Sequence, residues 1–329
     1  MRILAAALLL PFAGIAAQKL QPPSPLGAAR AFRYAVQSRT VTAGETTTPI
    51  ANPEGGSKTV ETVHLVVQLK SLEPKLLPDG LRAPRFLATF EESQRDADSD
   101  ALDLSAAETR DPFKVMAGRS VQFALSPGGQ LEDVLGIEEL FRDKAAAQPL
   151  LAWLPRLVAQ THLPGKTIGV GEKWKNEHDV AGMPLDDLTW RSESIYLRNE
   201  PCKLYAAPGG ADGSPSAGQG DAASSDSDCA IVLTHVTTAR RGSASSDATP
   251  DDYRRNGLRT FGKWTGSGEI LDSISLSRGV LISSTETSTQ DLDFTIKSAA
   301  TGSAIRRQGH SETRSEITLL DTAAATPAP

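Results

Sequence analysis

Apolar and polar side chains alternate along most of this chain, and the alternation is most regular over residues 269–297. The positions that share one face of an extended strand there are Ile270, Asp272, Ile274, Leu276, Val280, Ile282, Leu292, Phe294 and Ile296, with serine and threonine at many positions between them. A period of two places successive side chains on opposite faces of a strand. The pattern therefore predicts an antiparallel sheet with one buried face and one solvated face.

The same alternation predicts strands along most of the chain. In chain order they cover residues 32–42, 59–72, 85–92, 119–125, 130–134, 173–180, 187–198, 230–240, 258–273, 274–287, 290–296 and 312–320. A glycine-rich link joins the first two strands, and a Ser-Pro-Gly-Gly turn joins the fourth and fifth, so each pair is predicted to form a hairpin. Turns are predicted at residues 277–279 and 288–290, and the acidic residues 93–111 are predicted to form a loop.

One stretch, residues 137–161, has helical spacing of its apolar positions. Pro149 and Pro155 interrupt it, so we expect two or three short helical pieces. An amphipathic helix of this kind buries its apolar side against a sheet. The predicted fold class is therefore mainly β (α+β), a large curved antiparallel sheet or half-barrel with this one helical segment packed on it.

The N-terminus has the layout of a secretory signal peptide, predicted at residues 1–17. Arg2 precedes an apolar run at residues 3–15, which is shorter than the roughly 20 residues that a membrane anchor needs. We expect a proline-rich leader at 18–30, a single β-rich domain at 31–320 and a disordered tail at 321–329. The mature protein is predicted to be exported, to the periplasm or the exterior of a bacterium, with no transmembrane segment.

Two further expectations concern the organisation of the domain. The sequence around residues 121–134 is echoed near residues 269–283, which suggests two similar halves. Cys202 and Cys229 are the two cysteines of the chain, and a pair in an oxidising compartment favours a disulfide. The segment between them is rich in Gly, Ser and Asp, so the disulfide is predicted to close the base of a hairpin with a mobile tip. A redox or metal pair is disfavoured by the lack of a C-x-x-C spacing.

Charge and local motifs exclude several classes of function. The chain has 34 Lys and Arg against 40 Asp and Glu, a formal net charge of −6, and its cations are scattered, so nucleic acid is not an expected partner. Gly165-Lys166-Thr167 resembles the end of a phosphate-binding loop, but Gln160 occupies the position of its first glycine. Gly169-Val170-Gly171 begins a dinucleotide fingerprint, but Trp174 replaces its last glycine. No cofactor is therefore predicted.

Metal and catalytic residues are not indicated either. Asp96, Asp98 and Asp100 alternate as in a calcium loop, but the glycine and glutamate that such a loop requires are missing. His178 beside Asp179 is the richest cluster around any of the five histidines, and it lacks a second ligand for zinc. No catalytic residue is assigned. A hydrolase whose site is assembled from distant positions stays an alternative, and it requires a histidine such as His178 to meet a carboxylate and a nucleophile in a cleft.

A resemblance to a known family rests on two short motifs. The run Phe123-Ala124-Leu125-Ser126-Pro127-Gly128-Gly129 and the later run from Leu163-Pro164-Gly165-Lys166 to Gly171-Glu172-Lys173-Trp174 resemble a group of uncharacterised exported bacterial proteins, a domain of unknown function with the pattern F-x-L-S-P-x-G, a helix, then L-P-x-K and G-x-x-W. The resemblance implies a curved antiparallel sheet with a packed helical segment, loosely similar to the half-barrels of periplasmic lipoprotein carriers. It implies no reaction and no site residues.

These observations favour a non-enzymatic exported binding or interaction protein of unknown ligand. A hydrophobic ligand is one option, for which Trp153, Trp174, Trp190 and Trp264 are candidate pocket-lining residues; core packing is the alternative role for the same side chains. Lipid, peptide or another envelope protein are the candidate partners. A purely structural envelope domain is the remaining alternative.

Overall fold

A computed structural model describes residues 20, 31–47, 56–76, 80, 82–99, 112–126, 129–141, 147, 150–151, 153–180, 184–202 and 228–321. The predicted signal peptide lies outside these residues. So do the leader apart from Leu20, the tip between the two cysteines, and the tail beyond Asp321.

The described residues contain eleven strands that form one antiparallel sheet. The strands are β1 (Ala31–Thr47), β2 (Ser57–Leu76), β3 (Arg82–Ser99), β4 (Ser120–Leu125), β5 (Leu131–Leu135), β6 (Lys173–Val180), β7 (Leu188–Pro201), β8 (Asp228–Arg240), β9 (Leu258–Ser275), β10 (Leu281–Ser298) and β11 (Ala304–Asp321). Their spatial order is β5-β4-β3-β2-β1-β11-β10-β9-β8-β7-β6. The sheet is not closed, so the predicted mainly β fold with one large curved antiparallel sheet is confirmed. The division into two similar halves stays a prediction.

Helical structure is limited to short pieces in the described part of the chain. The pieces with described bounds are α1 (Pro112–Met116), α2 (Ile137–Leu140), α3 (Asp251–Arg255) and two 3-10 turns, Leu154–Leu157 and Ala159–His162. Residues 147, 150, 151 and 153 are helical as well. Pro155 lies in the first turn of the Leu154–Leu157 piece, and Val158 ends that piece in an extended conformation. The helical segment is therefore interrupted near Pro155, as expected. Pro149 lies outside the described residues. No described helix is long and apolar enough to span a bilayer.

The core lies between one face of the sheet and the segment that links β5 to β6. We call this segment, residues 137–168, the cap, and the sheet face beneath it the covered face. Buried positions recur two apart along the strands, as Tyr34 and Val36 show on β1. The largest buried side chains of this core are Tyr34, Tyr196, Phe86, Phe90, Phe123, Met116, Leu125, Leu154, Leu157, Ile168 and Ile274. Each apolar side chain of this size contributes about 1.5–3 kcal/mol by leaving water.

The turn predictions were partly right. The turn at residues 277–279 is confirmed, because β9 ends at Ser275 and β10 begins at Leu281. The turn at 288–290 was wrong, since those residues lie within β10 and pair with residues 266–268 of β9. A run of serine, threonine and glutamine is typical of a turn. The same residue types are also compatible with a strand that is exposed to solvent on both faces.

The loop predicted at residues 93–111 was wrong over its first part. β3 continues to Ser99, and Asp96 and Asp98 pair with Thr62 and Val60 of β2. Both aspartates are exposed, so a charged side chain at either position costs the strand little. These acidic residues therefore belong to a strand face that is in contact with solvent.

The predicted disulfide is confirmed: Cys202 is bonded to Cys229, with Cα atoms 5.0 Å apart. Cys202 directly follows β7, and Cys229 is the second residue of β8, paired in register with Glu200. The disulfide therefore lies at the end of the β7–β8 hairpin, as predicted, and Cys229 is fully buried.

Candidate functional site

A buried ion pair interrupts the apolar covered face. Asp272 lies between Ile270 and Ile274 on β9 and is fully buried. His162, at the end of the second 3-10 turn of the cap, places its Nδ1 atom 2.8 Å from Oδ2 of Asp272, and the two side chains are 8% and 0% exposed. A carboxylate at this depth is costly unless it is paired with a charge.

A second ion pair lies beside the first. Arg156 of the cap is paired with Glu286 on β10, and the two side chains are 18% and 17% exposed. The hydroxyl of Ser315 on β11 accepts a hydrogen bond from Nη1 of Arg156 (3.2 Å) and donates one to Glu286 (3.2 Å). We call His162, Asp272, Arg156, Glu286 and Ser315 the ionic cluster. The cluster joins Arg156 and His162 of the cap to the adjacent strands β9, β10 and β11.

Hydrogen bonding fixes the protonation of His162. Its Nε2 atom lies 3.0 Å from the backbone carbonyl of Arg156, which can only accept, so Nε2 carries a hydrogen. Nδ1 faces the carboxylate of Asp272, and a hydrogen there makes the ring a cation. Burial by itself lowers the pKa of His162, but the charge and hydrogen bond of Asp272 outweigh it and raise the pKa above its ordinary value.

The carboxylate responds in the matching direction. Burial by itself raises the pKa of Asp272, but the neighbouring His162, with a smaller contribution from Ser284, holds that pKa below its ordinary range. Ser284 is the register partner of Asp272 on β10 and is also fully buried. Both shifts are in the direction that favours an imidazolium paired with a carboxylate.

The His162–Asp272 contact is an ion pair, and His162 is not placed to act as a general base. A triad requires a free Nε2 atom that can take a proton from a nucleophile, and the Nε2 of His162 already donates to a backbone carbonyl. His178 lies on β6, where its ring contacts Trp190 at 4.7 Å and burial lowers its pKa. Within the described ranges, no group of three His, Cys, Asp or Glu side chains is arranged to hold a metal ion.

Described residues of the sheet form a groove of about 670 Å³. It lies across β2, β1, β11, β10 and β9, near the end of the sheet away from the cap. In β10 the even-numbered Ser284 and Phe294 are buried on the covered face, so Asp291 and Asp293 point to the opposite face. We call this the charged groove. Its lining residues are Ala43, Gly44, Glu45, Gly56, Ser57, Lys58, Lys263, Thr265, Asp291, Leu292, Asp293, Gln308, Gly309 and His310.

The charged groove contains side chains of both signs. Asp293 accepts two hydrogen bonds from Arg306, 2.9 and 2.7 Å, which hold its pKa below the ordinary value. His310 places Nδ1 2.8 Å from Asp291, and that bond raises the pKa of the histidine. Gly44 and Gly309, which are paired across β1 and β11, lie among the lining residues.

The four tryptophans are not brought together by the fold. Trp174 on β6 is buried in the main core, and Trp153 of the cap packs against that core. Trp264 on β9 packs instead against a separate cluster formed by Leu185, Ala248 and Phe294. None of the four is among the described residues that line the charged groove. Their role in lining a ligand pocket stays a prediction.

The described side chains fill the space between cap and sheet. A cavity there has a volume of about 10 Å³, and it is lined by Phe32, Tyr34, Leu69, Leu157, Val158, Ala159, Gly279, Val280 and Leu281. A single water molecule needs about 10–15 Å³ measured in this way. This cavity is therefore too small for a hydrophobic ligand.

Sequence reasoning missed both the ionic cluster and the charged groove. Asp272 occupies a core-facing position between Ile270 and Ile274. A charged residue at a predicted core position could have indicated a buried ion pair. Its partner His162 lies in a distant part of the chain, and the period of two cannot identify it. The charged groove comprises residues from five strands whose register the sequence does not give.

No family model matches this chain, and no curated protein matches it. Among solved structures it is weakly similar to one of lipovitellin that describes lipid–protein interactions, with a TM-score of 0.45 and 10% identity over 92% of this chain and 26% of that chain. A protein from Nitrosomonas europaea assigned as AttH matches with a TM-score of 0.13 and 9% identity, over 86% of this chain and 92% of that one. Neither score supports an argument about function.

Proposed function

We propose that this protein is an exported, non-enzymatic binding protein that holds a polypeptide segment of mixed charge, from another exported protein, in the charged groove. The observation that carries the proposal is the groove of about 670 Å³ lined by Lys58, Lys263, Asp291 and Asp293. Ligand sites are typically about 300–1,000 Å³.

The distribution of charge in the groove selects the class of partner. Lys263 and Asp293 are register partners on β9 and β10, so both signs occur within one strand spacing. An apolar ligand would desolvate these charges without replacing their contacts, and a ligand of one sign would meet repulsion. A chain that carries both signs can complement the groove. Because the groove crosses five neighbouring strands, an extended segment of several residues fits its length.

Export rests on separate support. The residue pattern at positions 1–17 is typical of a signal peptide, and the Cys202–Cys229 disulfide is typical of an oxidising compartment. A partner in the same compartment is therefore expected to be another envelope or released protein.

Isothermal titration calorimetry with synthetic decapeptides tests the groove. Peptides that alternate Lys and Glu are expected to bind more tightly than all-Ser, all-Lys or all-Glu peptides. Lys263→Glu is expected to weaken that binding about fivefold or more, since it reverses a groove charge. Lys297→Glu is the matched control, because Lys297 is an exposed lysine of β10 outside the groove. Equal binding of all four peptides, or equal effects of both substitutions, would refute the proposal.

The other functions stay open as predictions. A hydrophobic ligand requires the cap to move, because the described cap and sheet leave only about 10 Å³ between them. A hydrolase requires a histidine with a free nitrogen beside a nucleophile, a condition that His162 does not meet. A purely structural domain predicts no binding in the peptide titration.

A further inference from the structure

The sheet of described strands has two edges, β5 on one side and β6 on the other. β5 is poorly suited to further pairing, because it has five residues and Asp133 within it has a φ of 47°, outside the extended region. β6 has eight residues in continuous register with β7 and has no second neighbour among the described strands. Of these two edges, β6 is therefore the one that another strand can extend.

The backbone groups on the open side of β6 belong to its odd-numbered residues. The amide of Tyr196 on β7 donates to the carbonyl of Glu172, which directly precedes β6 (3.1 Å). Backbone groups alternate in direction along an antiparallel strand, so the even-numbered residues of β6 also direct theirs toward β7. The N–H and C=O groups that point away from β7 are those of Lys173, Lys175, Glu177 and Asp179.

These four outward residues also have charges in a symmetric order. Two lysines come first and two carboxylates follow, with Asn176 at the centre. The four side chains are 61%, 75%, 50% and 71% exposed in chain order. Within the chain the lysines contact Glu193 on β7, and the carboxylates contact Arg191 on β7 and Arg241 after β8. Because all four remain exposed, each can contact a further charge from the open side.

A second β6 that is antiparallel to the first and centred on Asn176 brings opposite charges together. In this register Lys173 faces Asp179 of the second copy and Lys175 faces Glu177, and the twofold axis repeats both pairs. A shift of two residues in either direction would bring Lys175 or Glu177 opposite itself, and like charges that face each other destabilise a strand pair. The edge is therefore complementary to itself in this register and not in the neighbouring ones.

We propose that β6 is the interface of a homodimer, in which the β6 strands of two copies pair antiparallel about Asn176 and join two sheets into one. The outward residues then exchange about eight backbone hydrogen bonds, two for each hydrogen-bonded pair of residues. A single strand pair buries a small area, so the dimer is expected to be transient. The interface is independent of the charged groove, whose lining comes from β1, β2, β9, β10 and β11.

Sedimentation velocity of the full chain between about 1 and 300 µM tests association, and the sedimentation coefficient is expected to rise from that of a monomer to that of a dimer. Hydrogen exchange at the two ends of this range locates the interface. Amides of β6 are expected to exchange about fivefold or more slowly at the high concentration. Amides of β5, the other edge, are the internal control and are expected to exchange at the same rate at both concentrations.

Two charge reversals test the register. Lys175→Glu and Glu177→Lys each place like charges opposite one another at two symmetric positions, so each is expected to raise the dissociation constant of the dimer about tenfold or more. An equimolar mixture of the two variants is expected to restore association, because each chain then faces opposite charges on the other. Lys297→Glu is the matched control, because Lys297 is an exposed lysine of β10, which has neighbours on both sides.

Asn176→Cys tests the centre of the pair. Residues that face each other in a non-hydrogen-bonded pair have Cα atoms about 4.5 Å apart, within the range of about 4.4–6.8 Å that a disulfide allows. The two native cysteines are bonded to each other, so the new thiol is the only free one. Mild oxidation is expected to yield a covalent dimer. Asp179→Cys is the control, since the two copies of this position lie about 20 Å apart in the proposed register.

A chain that stays monomeric over the whole concentration range would overturn the proposal, and the charges of β6 would then serve only to prevent aggregation. A dimer that both charge reversals leave unchanged would place the interface elsewhere. Equal cross-linking of Asn176→Cys and Asp179→Cys would refute the register. None of these substitutions alters a residue that lines the charged groove, so peptide binding and dimerisation fail or succeed separately.

Discussion

Two Asp–His pairs in this protein have the same contact distance and very different surroundings. His162 and Asp272 are 2.8 Å apart with side chains 8% and 0% exposed, and His310 and Asp291 are 2.8 Å apart with side chains 46% and 68% exposed. Water screens the second pair, so its net contribution to stability is small. The first pair is buried away from solvent, so each charge depends on the other. At the scale of single residues, burial and not distance decides which pair matters.

Asp272→Asn is expected to lower the free energy of unfolding by about 3–5 kcal/mol at pH 7, because it leaves a buried imidazolium without its counter-charge. Asp291→Asn is expected to change the free energy of unfolding much less, because water screens that exposed pair. Urea unfolding followed by circular dichroism measures both. Similar losses in the two variants would contradict the assignment of a buried ion pair.

The sequence allowed one member of the cluster to be located. The alternation over residues 269–297 placed Asp272 on the core side, and it is there. Its partner could not be inferred, because His162 is in a 3-10 turn whose position depends on how the cap packs. Arg156 and Glu286 had no local signal, since single charged residues in a helical piece or a serine-rich strand are common on solvated surfaces.

At the scale of elements, short-range patterns were reliable and polar strands were not. The β4–β5 and β7–β8 hairpins were predicted from alternation, a turn sequence and the cysteine pair, all of which act locally. β3 and β10 were cut short, because Asp96, Asp98 and residues 288–290 are types that also favour loops. Cross-strand pairing supports such residues once neighbours exist, and that support is not visible in a single strand.

The disulfide stabilises the β7–β8 hairpin by limiting the unfolded chain. The sequence separation of the two cysteines is 27, and closing a loop of this length is worth about 3–4 kcal/mol in the chain-entropy model. Cys202→Ala with Cys229→Ala is therefore expected to lower the free energy of unfolding by about that amount. Urea unfolding of the variant and of the oxidised wild type gives the difference. A change below about 1 kcal/mol would show that other contacts already hold the hairpin together.

At the scale of the whole molecule, one pairing joins two meanders. β1 to β5 run in order to one edge and β11 to β6 run in order to the other, and the β1–β11 pair connects them. Cross-strand hydroxyl pairs accompany the backbone ladder there, between Thr40 and Thr313 (3.1 Å) and between Thr42 and Ser311 (3.0 Å). Because the cap packs on strands from both meanders, the sheet and its core are expected to unfold together.

Ile317→Ala tests this connection, because Ile317 lies on β11 beside β1 and is fully buried. A loss of about 2–5 kcal/mol is expected, and hydrogen exchange should accelerate in both β2–β3 and β8–β9. Ile305→Ala on the same strand is the control; its side chain is 40% exposed, and it is expected to cost less than about 1 kcal/mol. Acceleration confined to one side would show that the two meanders unfold separately.

The β1–β11 pair also sets the order in which the molecule can assemble during biosynthesis. A ribosome releases β1 long before β11, so one side of a long strand has no ladder partner while the nine intervening strands are made. An unpaired strand edge readily joins other chains. The β1–β11 pair is therefore expected to form only after the last strand has been made.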